Sequence, residues 1–361
     1  MTVISADDTG TIRSEATTLR IWQGEWAHAM RVGLIYGGVS AEDRLYRTKS
    51  PAKQLSVTAL SAALAEIGVT FDVCDPCDPA FTASLPTYDL APSNLHGPFG
   101  EDGRLQGLLD WLRVPLCGSG VTASAIAADK IACKRMMVAL EVPTPRWREW
   151  TPGQAVCWKG EAAMVKPSLG GSSLGMALVR DGAALMPALQ QARSIDPSPV
   201  LVEDHVPGTP VTVGLLELPG GLLAFPPLAT QVHDAEWYDA AGKLDPDGRG
   251  TVSLAPADLP PPVLDTLTRH SVTLWKGLGC RGAARVDFIV TESGQVYALE
   301  VNTMPGMSEG SNFVTGAALC GLTLADVVRA LLREAQMRPA YDVPLPVPVF
   351  AAPPDGSATC A

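Results

Sequence analysis

The sequence predicts a mixed α/β and α+β fold, arranged as three consecutive domains with a parallel α/β layer at the N-terminal end. The chain has 361 residues, of which 47% are apolar, so it can bury more than one hydrophobic core. In its first third, strand-like segments at residues 31–36, 70–74 and 88–95 are separated by helix-like stretches. This alternation is typical of a parallel sheet covered by helices.

The rest of the chain changes pattern twice. A helix is expected at residues 123–140, a strand-rich stretch follows up to residue 213, and the last segment ends in a helix at residues 323–334. These changes place the domain boundaries. The predicted domains are residues 30–122, 123–214 and 215–338.

The two ends of the chain are expected to lie outside these domains. Residues 1–29 are polar and irregular, and Met30 stands just before the first predicted strand. The sequence alone leaves open a native extension, an alternative start at Met30 or added residues. We predict a disordered extension whose removal leaves activity unchanged. Residues 339–361 are rich in proline and small residues, which is typical of a tail that resists ordering.

Charge and composition exclude several classes of function. A net charge of -11 argues against a sequence-independent nucleic-acid binder, because such proteins neutralise phosphates with Lys and Arg. No apolar run reaches the roughly 20 residues of a membrane span, and the start lacks a signal-peptide pattern. We therefore expect a cytoplasmic protein with neither a nucleic-acid nor a membrane partner. Cys74 and Cys77 form a lone CxxC, for which reduced thiols are favoured over a zinc or redox site.

The strongest chemical signal is a predicted hairpin near the C-terminus. Two strand-like runs flank a Ser-Gly turn at residues 293–294. With that turn, Asp287 lies opposite Glu300 and Arg285 opposite Asn302, all on one face. Facing carboxylates need compensation, which Arg285 and a hard cation such as Mg²⁺ or Mn²⁺ can supply. The alternative is an exposed strand face with solvated charges.

The other face of this hairpin is predicted to be apolar. It carries good core formers, namely Val286, Phe288, Leu299 and Val301. One polar face over one apolar face agrees with both interpretations of the hairpin.

A second signal is the segment MVKPSLGGSSLG, in which Lys166 ends an apolar strand and leads into a loop containing Ser172 and Ser173. Glycines let backbone N–H groups close on an anion, and serine hydroxyls add donors. A flexible linker is the alternative, but the preceding strand and lysine favour phosphate contact. A third signal is His96, at the end of a predicted strand where ligands often bind. A lone histidine can equally be structural.

Taken in order, these motifs resemble the D-alanine:D-alanine ligase family over roughly residues 30–335. The resemblance rests on five segments: GGVSAE at 37–42, LHGPFGEDGRLQG at 95–107, CGSGVTASAIAADK at 117–130, MVKPSLGGSSLGM at 164–176, and the hairpin RVDFIV with LEVNTMPGM. It implies an ATP-grasp fold in which ATP lies between two β-rich layers. The N-terminal domain would then bind substrate, and the hairpin would bind metal.

The resemblance also implies a reaction. A carboxylate is phosphorylated by ATP to an acyl phosphate, an amine attacks it, and an amide, ADP and phosphate are formed. The expected cofactors are ATP and two Mg²⁺ ions, with Mn²⁺ able to replace them. The expected substrates are amino acids, and we expect a homodimer.

Nucleotide and metal residues are carried over from matching motif positions. The phosphates would be held by Lys130, Lys166 and Lys243, beneath a closing loop with Ser172 and Ser173. The strand VLVEDHV would offer Glu203 and its neighbours to adenine. The metal ligands would be Asp287, Glu300 and Asn302.

Amino-acid residues are carried over in the same way. Glu42 would pair with the ammonium of the first amino acid, and His96 would line that subsite. Arg285 would stabilise the tetrahedral intermediate, and Ser311 would hold the carboxylate of the second amino acid. Ser172, Glu42, His96 and Arg285 are the predicted catalytic residues.

The chain departs from the family pattern at four places. Residues 43–50 read DRLYRTKS instead of the usual Arg and Glu-Val-Ser run after the glutamate. Leu244 stands where the family usually has a tyrosine. Pro210 stands where the family usually has an acidic residue that binds the ribose hydroxyls. Leu169-Gly170 replaces a charged pair in the phosphate loop.

These departures favour a ligase that activates an amino-acid carboxylate in specialised biosynthesis, such as that of an antibiotic, with intramolecular cyclisation as one form. One alternative is a cell-wall D-alanine:D-alanine ligase. Another is a nucleotide-binding regulatory protein without catalysis, against which the intact Asp287, Glu300 and Asn302 set argues.

Overall fold

The computed structural model describes residues 1–50, 55–155, 162–171, 173–232 and 252–338. The strands in this part of the chain are β1 Val3–Ile4, β2 Arg31–Ile35, β3 Thr70–Cys74, β4 Trp147–Trp150, β5 Ala163–Pro167, β6 Ala177–Val179, β7 Val200–Asp204, β8 Thr209–Leu218, β9 Gly221–Ala224, β10 Leu228–Val232, β11 Val252–Pro256, β12 Ala283–Val290 and β13 Val296–Asn302. The helices are α1 Thr9–Trp26, α2 Ala41–Lys49, α3 Ser56–Ile67, α4 Phe81–Ser84, α5 Arg104–Leu112, α6 Val121–Ala128, α7 Lys130–Ala139, α8 Gly182–Ile195, α9 Pro261–Leu278, α10 Asn312–Leu319 and α11 Leu324–Met337.

The N-terminal layer contains the predicted parallel pairing. Strands β2 and β3 pair in parallel along their whole length. The strand expected at residues 88–95 is wrong as a continuous element, because Leu90 and Ser93 make only isolated bridges to β2. Pro92 lies between them and has no N–H to donate, so a regular ladder is interrupted there. The segment nevertheless runs beside β2 and delivers His96 to the end of the layer.

Two further sheets follow. The middle one has the strand order β4-β7-β5-β6, with antiparallel neighbours, and α8 packs on it around a core that includes Leu189 and Val165. The larger one has the order β1-β9-β8-β10-β11, with β12 beside β8 and β13 beside β12. The predicted three-domain division remains a prediction, since the sheets do not by themselves set the boundaries.

The helix expected at residues 123–140 is wrong as one piece, because it breaks at Asp129. Residue 129 has extended backbone angles, and its carboxylate accepts the N–H groups of Ile131 at 2.9 Å and Ala132 at 3.1 Å. Aspartate favours this N-cap position, since it satisfies donors that the first helical turn leaves unpaired. The break places Lys130 at the first position of α7.

The chain's last described helix agrees closely with expectation. It was predicted at residues 323–334 and spans Leu324–Met337, with Thr323 as N-cap and a capping box closed by Asp326. No single helix in the described part of the chain is long and apolar enough to cross a bilayer. The bent pair α10 and α11 meets that test of length and composition when its halves are taken together.

Residues 1–29 are not the disordered extension that the sequence suggested. Strand β1 pairs in parallel with β9, and α1 buries Ile12, Ala16, Leu19 and Trp22 in the largest core cluster. These positions recur at helical spacing, so the polar composition of the segment hides one apolar stripe. The Trp22 indole N–H also donates to the Gln336 side chain at 2.7 Å on α11.

Deletion of residues 1–29 is therefore expected to lower Tm by at least about 5 °C, since it removes several buried side chains from one core. The single variant Leu19→Ala should shift Tm in the same direction, whereas Arg13→Ala on the exposed face of α1 should leave it unchanged. Calorimetry of the three proteins is the measurement. A truncated protein that melts with the full-length chain would contradict the packing described.

Candidate active site

A cavity of about 740 Å³ brings together parts of the chain that are far apart in sequence. Eleven predicted site residues line it: Glu42, His96, Lys130, Lys166, Ser173, Glu203, Arg285, Asp287, Glu300, Asn302 and Ser311. Ser172 and Lys243 lie outside the described residues, as does Leu244. The cavity thus collects charged side chains from the N-terminal layer, the middle sheet and the β12–β13 hairpin.

The register predicted for the hairpin is confirmed where the charged residues lie. Arg285 pairs with Asn302, and Asp287 pairs with Glu300. Beyond Asp287 the register shifts at a bulge, and Phe288 pairs with Ala298. The turn closes through a hydrogen bond from the Thr291 N–H to the Gln295 carbonyl at 2.9 Å, which differs by one residue from the predicted turn. The bulge offsets this difference, so the charged residues keep their predicted pairing.

The bulge corrects one residue of the predicted apolar face. Val286, Phe288 and Val301 are buried as expected. Leu299 is the extra residue of the bulge and lines the cavity, while Ala298 takes the place in the core. The prediction of an apolar face is therefore confirmed for Val286, Phe288 and Val301 and wrong for Leu299.

Each of the two facing carboxylates has its own cation. The Arg285 guanidinium donates from Nε and Nη2 to the two oxygens of Asp287 at 2.9 and 3.0 Å, and Thr212 donates to the same carboxylate at 2.6 Å. Lys130 Nζ lies 3.9 Å from Glu300 Oε2. Burial opposes ionisation of Arg285, but Asp287 outweighs it and raises the pKa of the guanidinium above its ordinary value. The polar face is close to electrically balanced.

The donor set of this face fits a hard divalent cation. Asp287 and Glu300 face each other, Asn302 follows on the same strand, and all three offer oxygen, the ligand atom that Mg²⁺ prefers. Within the described ranges, no group of three or more His, Cys, Asp or Glu side chains is arranged to hold a metal. A site with two carboxylates and an amide leaves coordination positions for phosphate oxygens.

The glycine-rich loop lies against α7. Lys130 Nζ donates to the Gly170 carbonyl, and the Lys130 N–H donates to the Ser168 carbonyl at 2.9 Å. Gly170 and Gly175 have φ angles of 105° and 70°, in the left-handed region where a side chain would be strained, and Ser173 joins them at 57°. This conformation keeps the loop close to Lys130.

The loop also closes on the N-terminal layer. The buried Glu42 carboxylate accepts the Gly171 N–H at 2.6 Å, so α2 and the glycine-rich loop are joined directly. Burial, reinforced by the Glu101 carboxylate, raises the pKa of Glu42 above its ordinary value. A cationic ligand beside Glu42 would favour its ionised form.

His96 is fixed by the start of α2. The backbone N–H of His96 donates to the Asp43 carboxylate at 2.7 Å, and the backbone carbonyl of His96 accepts the Ser40 hydroxyl at 2.6 Å. The imidazole packs on Tyr46 with ring centroids 4.9 Å apart, and its Nδ1 lies 3.8 Å from Glu101. Burial opposes protonation, but Glu101 and two further carboxylates outweigh it and raise the pKa of His96. Glu42 and His96 therefore share one acidic end of the cavity.

Ser311 lines the same cavity from the start of α10. It is the N-cap residue of α10, and its hydroxyl donates to the Gly306 carbonyl at 2.8 Å. Helix N-termini favour negative groups, because unpaired N–H groups and the helix dipole point there. The role of Ser311 toward a carboxylate remains a prediction.

Glu203 lines the cavity and already has two cationic partners. Its carboxylate is buried between the ammonium groups of Lys134 and Lys166. Burial opposes ionisation of Glu203, but the two lysines outweigh it and hold its pKa below the ordinary value. The cavity is also lined by the following residues Asp204 and His205, so adenine contact through this strand remains a prediction.

Three site residues were not found from the sequence. Lys134 lies four residues after Lys130, a spacing that puts both on one side of a helix. This spacing is visible in the sequence and could have identified Lys134. Thr212 reaches Asp287 only because β8 pairs with β12, which no local pattern shows. Glu101 lies in a motif that was singled out, but nothing local linked it to His96.

Comparisons with known proteins agree on one family. The family described as D-ala D-ala ligase C-terminus matches residues 143–333. A D-alanine–D-alanine ligase from Synechococcus sp. strain JA-2-3B'a(2-13) is 33% identical over 316 residues, covering 85% of this chain and 93% of that protein. One from Syntrophotalea carbinolica is 34% identical over 310 residues, covering 85% and 97%. A crystal structure of the Bacillus anthracis D-alanine–D-alanine ligase with ATP has a TM-score of 0.69 and 25% identity, covering 85% of this chain and 97% of that one.

Proposed function

This chain belongs to the D-alanine–D-alanine ligase family of ATP-grasp carboxylate–amine ligases, which form ADP and phosphate, and on that premise we propose that it joins D-alanine to D-alanine. The observation that carries the proposal is one cavity lined by the predicted nucleotide, metal and amino-acid residues that fall in the described part of the chain. The relatives named above support the substrate, because their similarity extends over 85% of the chain. The homodimer and the cytoplasmic location remain predictions.

The proposed first step is phosphoryl transfer to a carboxylate. Lys130 and Lys166 line the cavity and would hold the ATP phosphates, while Asp287, Glu300 and Asn302 would hold two Mg²⁺ ions. The ions, when bound, would neutralise phosphate oxygens. The carboxylate oxygen of the first D-alanine attacks the γ-phosphorus, the bond to the β-phosphate oxygen breaks, and ADP leaves. Fixed cations lower the barrier because negative oxygens gather at this point.

The proposed second step is amide formation. The ammonium of the second D-alanine loses a proton to solvent, and the neutral amine attacks the carbonyl carbon of the acyl phosphate. The C–O bond to phosphate breaks, inorganic phosphate leaves, and the nitrogen gives a second proton to solvent as the amide forms. Arg285 would stabilise the negative oxygen of the tetrahedral intermediate. Glu42 would hold the ammonium of the first amino acid, and Ser311 with the start of α10 would hold the carboxylate of the second.

The direct experiment supplies ATP, Mg²⁺ and D-alanine to the purified protein. ADP release and the dipeptide, identified by mass spectrometry, should appear in equal amounts. Reactions with L-alanine, or without amino acid, are the controls. ADP release without dipeptide would contradict D-alanine as the substrate, and ATP binding without turnover for any amino acid would support the regulatory alternative.

A second candidate is ligation of a larger or more polar amino acid in specialised biosynthesis, including cyclisation of one molecule. The observation that favours it is Tyr46, which packs on His96 and lines the cavity from the helix whose sequence departs from the family. Pro210, at the position where an acidic residue is usual, also lines the cavity.

Specificity constants decide between the two candidates. Ligation of D-alanine predicts that D-alanine has the highest kcat/KM in a panel of D- and L-amino acids offered singly and in pairs. The second candidate predicts a larger polar amino acid above it, by about tenfold or more, because unpaired polar groups in a closed site typically cost about 1 to 3 kcal/mol. The Tyr46→Ala variant should reduce this preference if Tyr46 shapes the subsite.

A further inference from the structure

Lys134 is a fully buried lysine that the reaction scheme above does not use. Its side chain has no exposed surface, and its Nζ lies 2.6 Å from Glu203 Oε2 and donates to Thr144 Oγ1 at 2.6 Å. The other Glu203 oxygen contacts the ammonium of Lys166. One carboxylate therefore lies between two lysines, of which only Lys166 lines the cavity.

The charges of this cluster do not cancel. With all three groups ionised, two ammonium groups and one carboxylate leave a surplus of one positive charge in a region shielded from water, where electrostatic interactions are strong. Burial lowers the pKa of Lys134, and the adjacent Glu203 carboxylate opposes this shift and favours the charged form. If Lys134 were neutral, Glu203 and Lys166 would form a balanced pair. Lys166 would then present little net charge to an anion in the cavity.

Lys134 also connects this cluster to the hairpin. Thr144, which accepts from Lys134, donates in turn to the Ala298 carbonyl of β13 at 2.7 Å. Ala298 immediately precedes the bulge residue Leu299, and Glu300 follows Leu299. The chain of contacts therefore runs from the phosphate lysine through α7 to the strand that carries the proposed metal ligands.

We propose that Lys134 is a positioning residue for ATP: it neutralises Glu203 so that the charge of Lys166 remains available to the phosphates. The inference rests on the proposed function only in taking ATP as the ligand. A purely structural role would require only that the space be filled, whereas this role requires the positive charge.

The test measures ATP affinity by titration calorimetry with Mg²⁺ and no amino acid. Lys134→Met is expected to weaken ATP binding by at least about tenfold, because it leaves Glu203 and Lys166 as a neutral pair. Lys134→Met combined with Glu203→Gln removes both charges, frees Lys166 and keeps an acceptor oxygen at 203. The double variant should bind ATP within about threefold of the Glu203→Gln single variant, a reference in which any contact between residue 203 and ATP is already changed.

The matched control is Arg135→Met. Arg135 is the next residue on α7 and forms an exposed ion pair with Glu149, so its loss changes net charge without touching the cluster. ATP affinity should be unchanged. Unchanged binding in a folded Lys134→Met overturns the inference.

The double variant keeps the test decisive if Lys134→Met alone fails to fold. Neutral side chains can replace a buried ion pair at little cost, so the double variant should fold. Binding at least about tenfold weaker in the double variant than in the Glu203→Gln single variant would assign Lys134 a role of shape and overturn the inference. Wild type that fails to bind ATP would overturn this inference together with the proposed function. If wild type binds ATP but forms no dipeptide, the proposed function fails. The ATP titrations of the Lys134 variants still decide the role of Lys134 in that case.

Discussion

Replacing Asp287 by asparagine is expected to lower kcat at saturating ATP by at least about a hundredfold, the scale typical of lost metal or electrostatic stabilisation. Asp287 lies at the centre of the site, where it accepts both donors of Arg285 and the hydroxyl of Thr212 and faces Glu300. The amide cannot accept a second charge-assisted bond from Arg285 with the same geometry. ADP release measured at several Mg²⁺ concentrations is the readout.

Glu300→Gln separates chemistry from stability. It should lower kcat to a similar degree, but Tm without metal should change little, because glutamine has a similar size and the change relieves the repulsion between the facing Asp287 and Glu300 carboxylates. Asp287→Asn should lower Tm without metal, because it weakens the partly buried, two-bond ion pair with Arg285. Retention of a tenth or more of wild-type kcat in either variant would contradict the metal-ligand assignment.

Replacing Arg285 by methionine is expected to lower kcat by roughly a hundredfold to a thousandfold, the range typical of a lost oxyanion donor. The change also leaves Asp287 and Glu300 facing each other without their main cation, so Tm without metal should fall. Arg285→Lys keeps the charge but loses the planar fork, so its kcat should lie between those of wild type and Arg285→Met.

The control for Arg285 is Arg281→Met. Arg281 lies four residues earlier, is half exposed and has an ion pair 3.9 Å long to Glu334, away from the cavity. Its loss should leave kcat unchanged. An Arg285→Met variant with wild-type kcat would remove Arg285 from the proposed mechanism.

The register of the β12–β13 hairpin could largely be predicted from the local sequence pattern. The pairing of Asp287 with Glu300 was predicted from a Ser-Gly turn, and it holds even though the turn closes one residue differently. The bulge at Leu299 restores the register, and a bulge has little local signature in the sequence. Alternation of polar and apolar residues constrained the charged face, because a slip by one residue would have buried it.

Long-range contacts and short breaks were harder to predict. The capping role of Asp129 was readable in principle, but a helical pattern on both sides of it concealed the break. The stripe of α1 at Ile12, Ala16, Leu19 and Trp22 was diluted by polar neighbours. The Lys134 and Glu203 pair joins α7 to β7, and only the folded chain brings them within 2.6 Å.

The central claim is that a carboxylate is activated by phosphorylation in this cavity. The most direct test gives the enzyme ATP, Mg²⁺ and D-alanine labelled with oxygen-18 in its carboxylate. Acyl-phosphate formation predicts that each phosphate released carries one labelled oxygen and that the amide keeps the other. Unlabelled phosphate, released at the same rate as ADP, would show that water attacks ATP and would contradict the account.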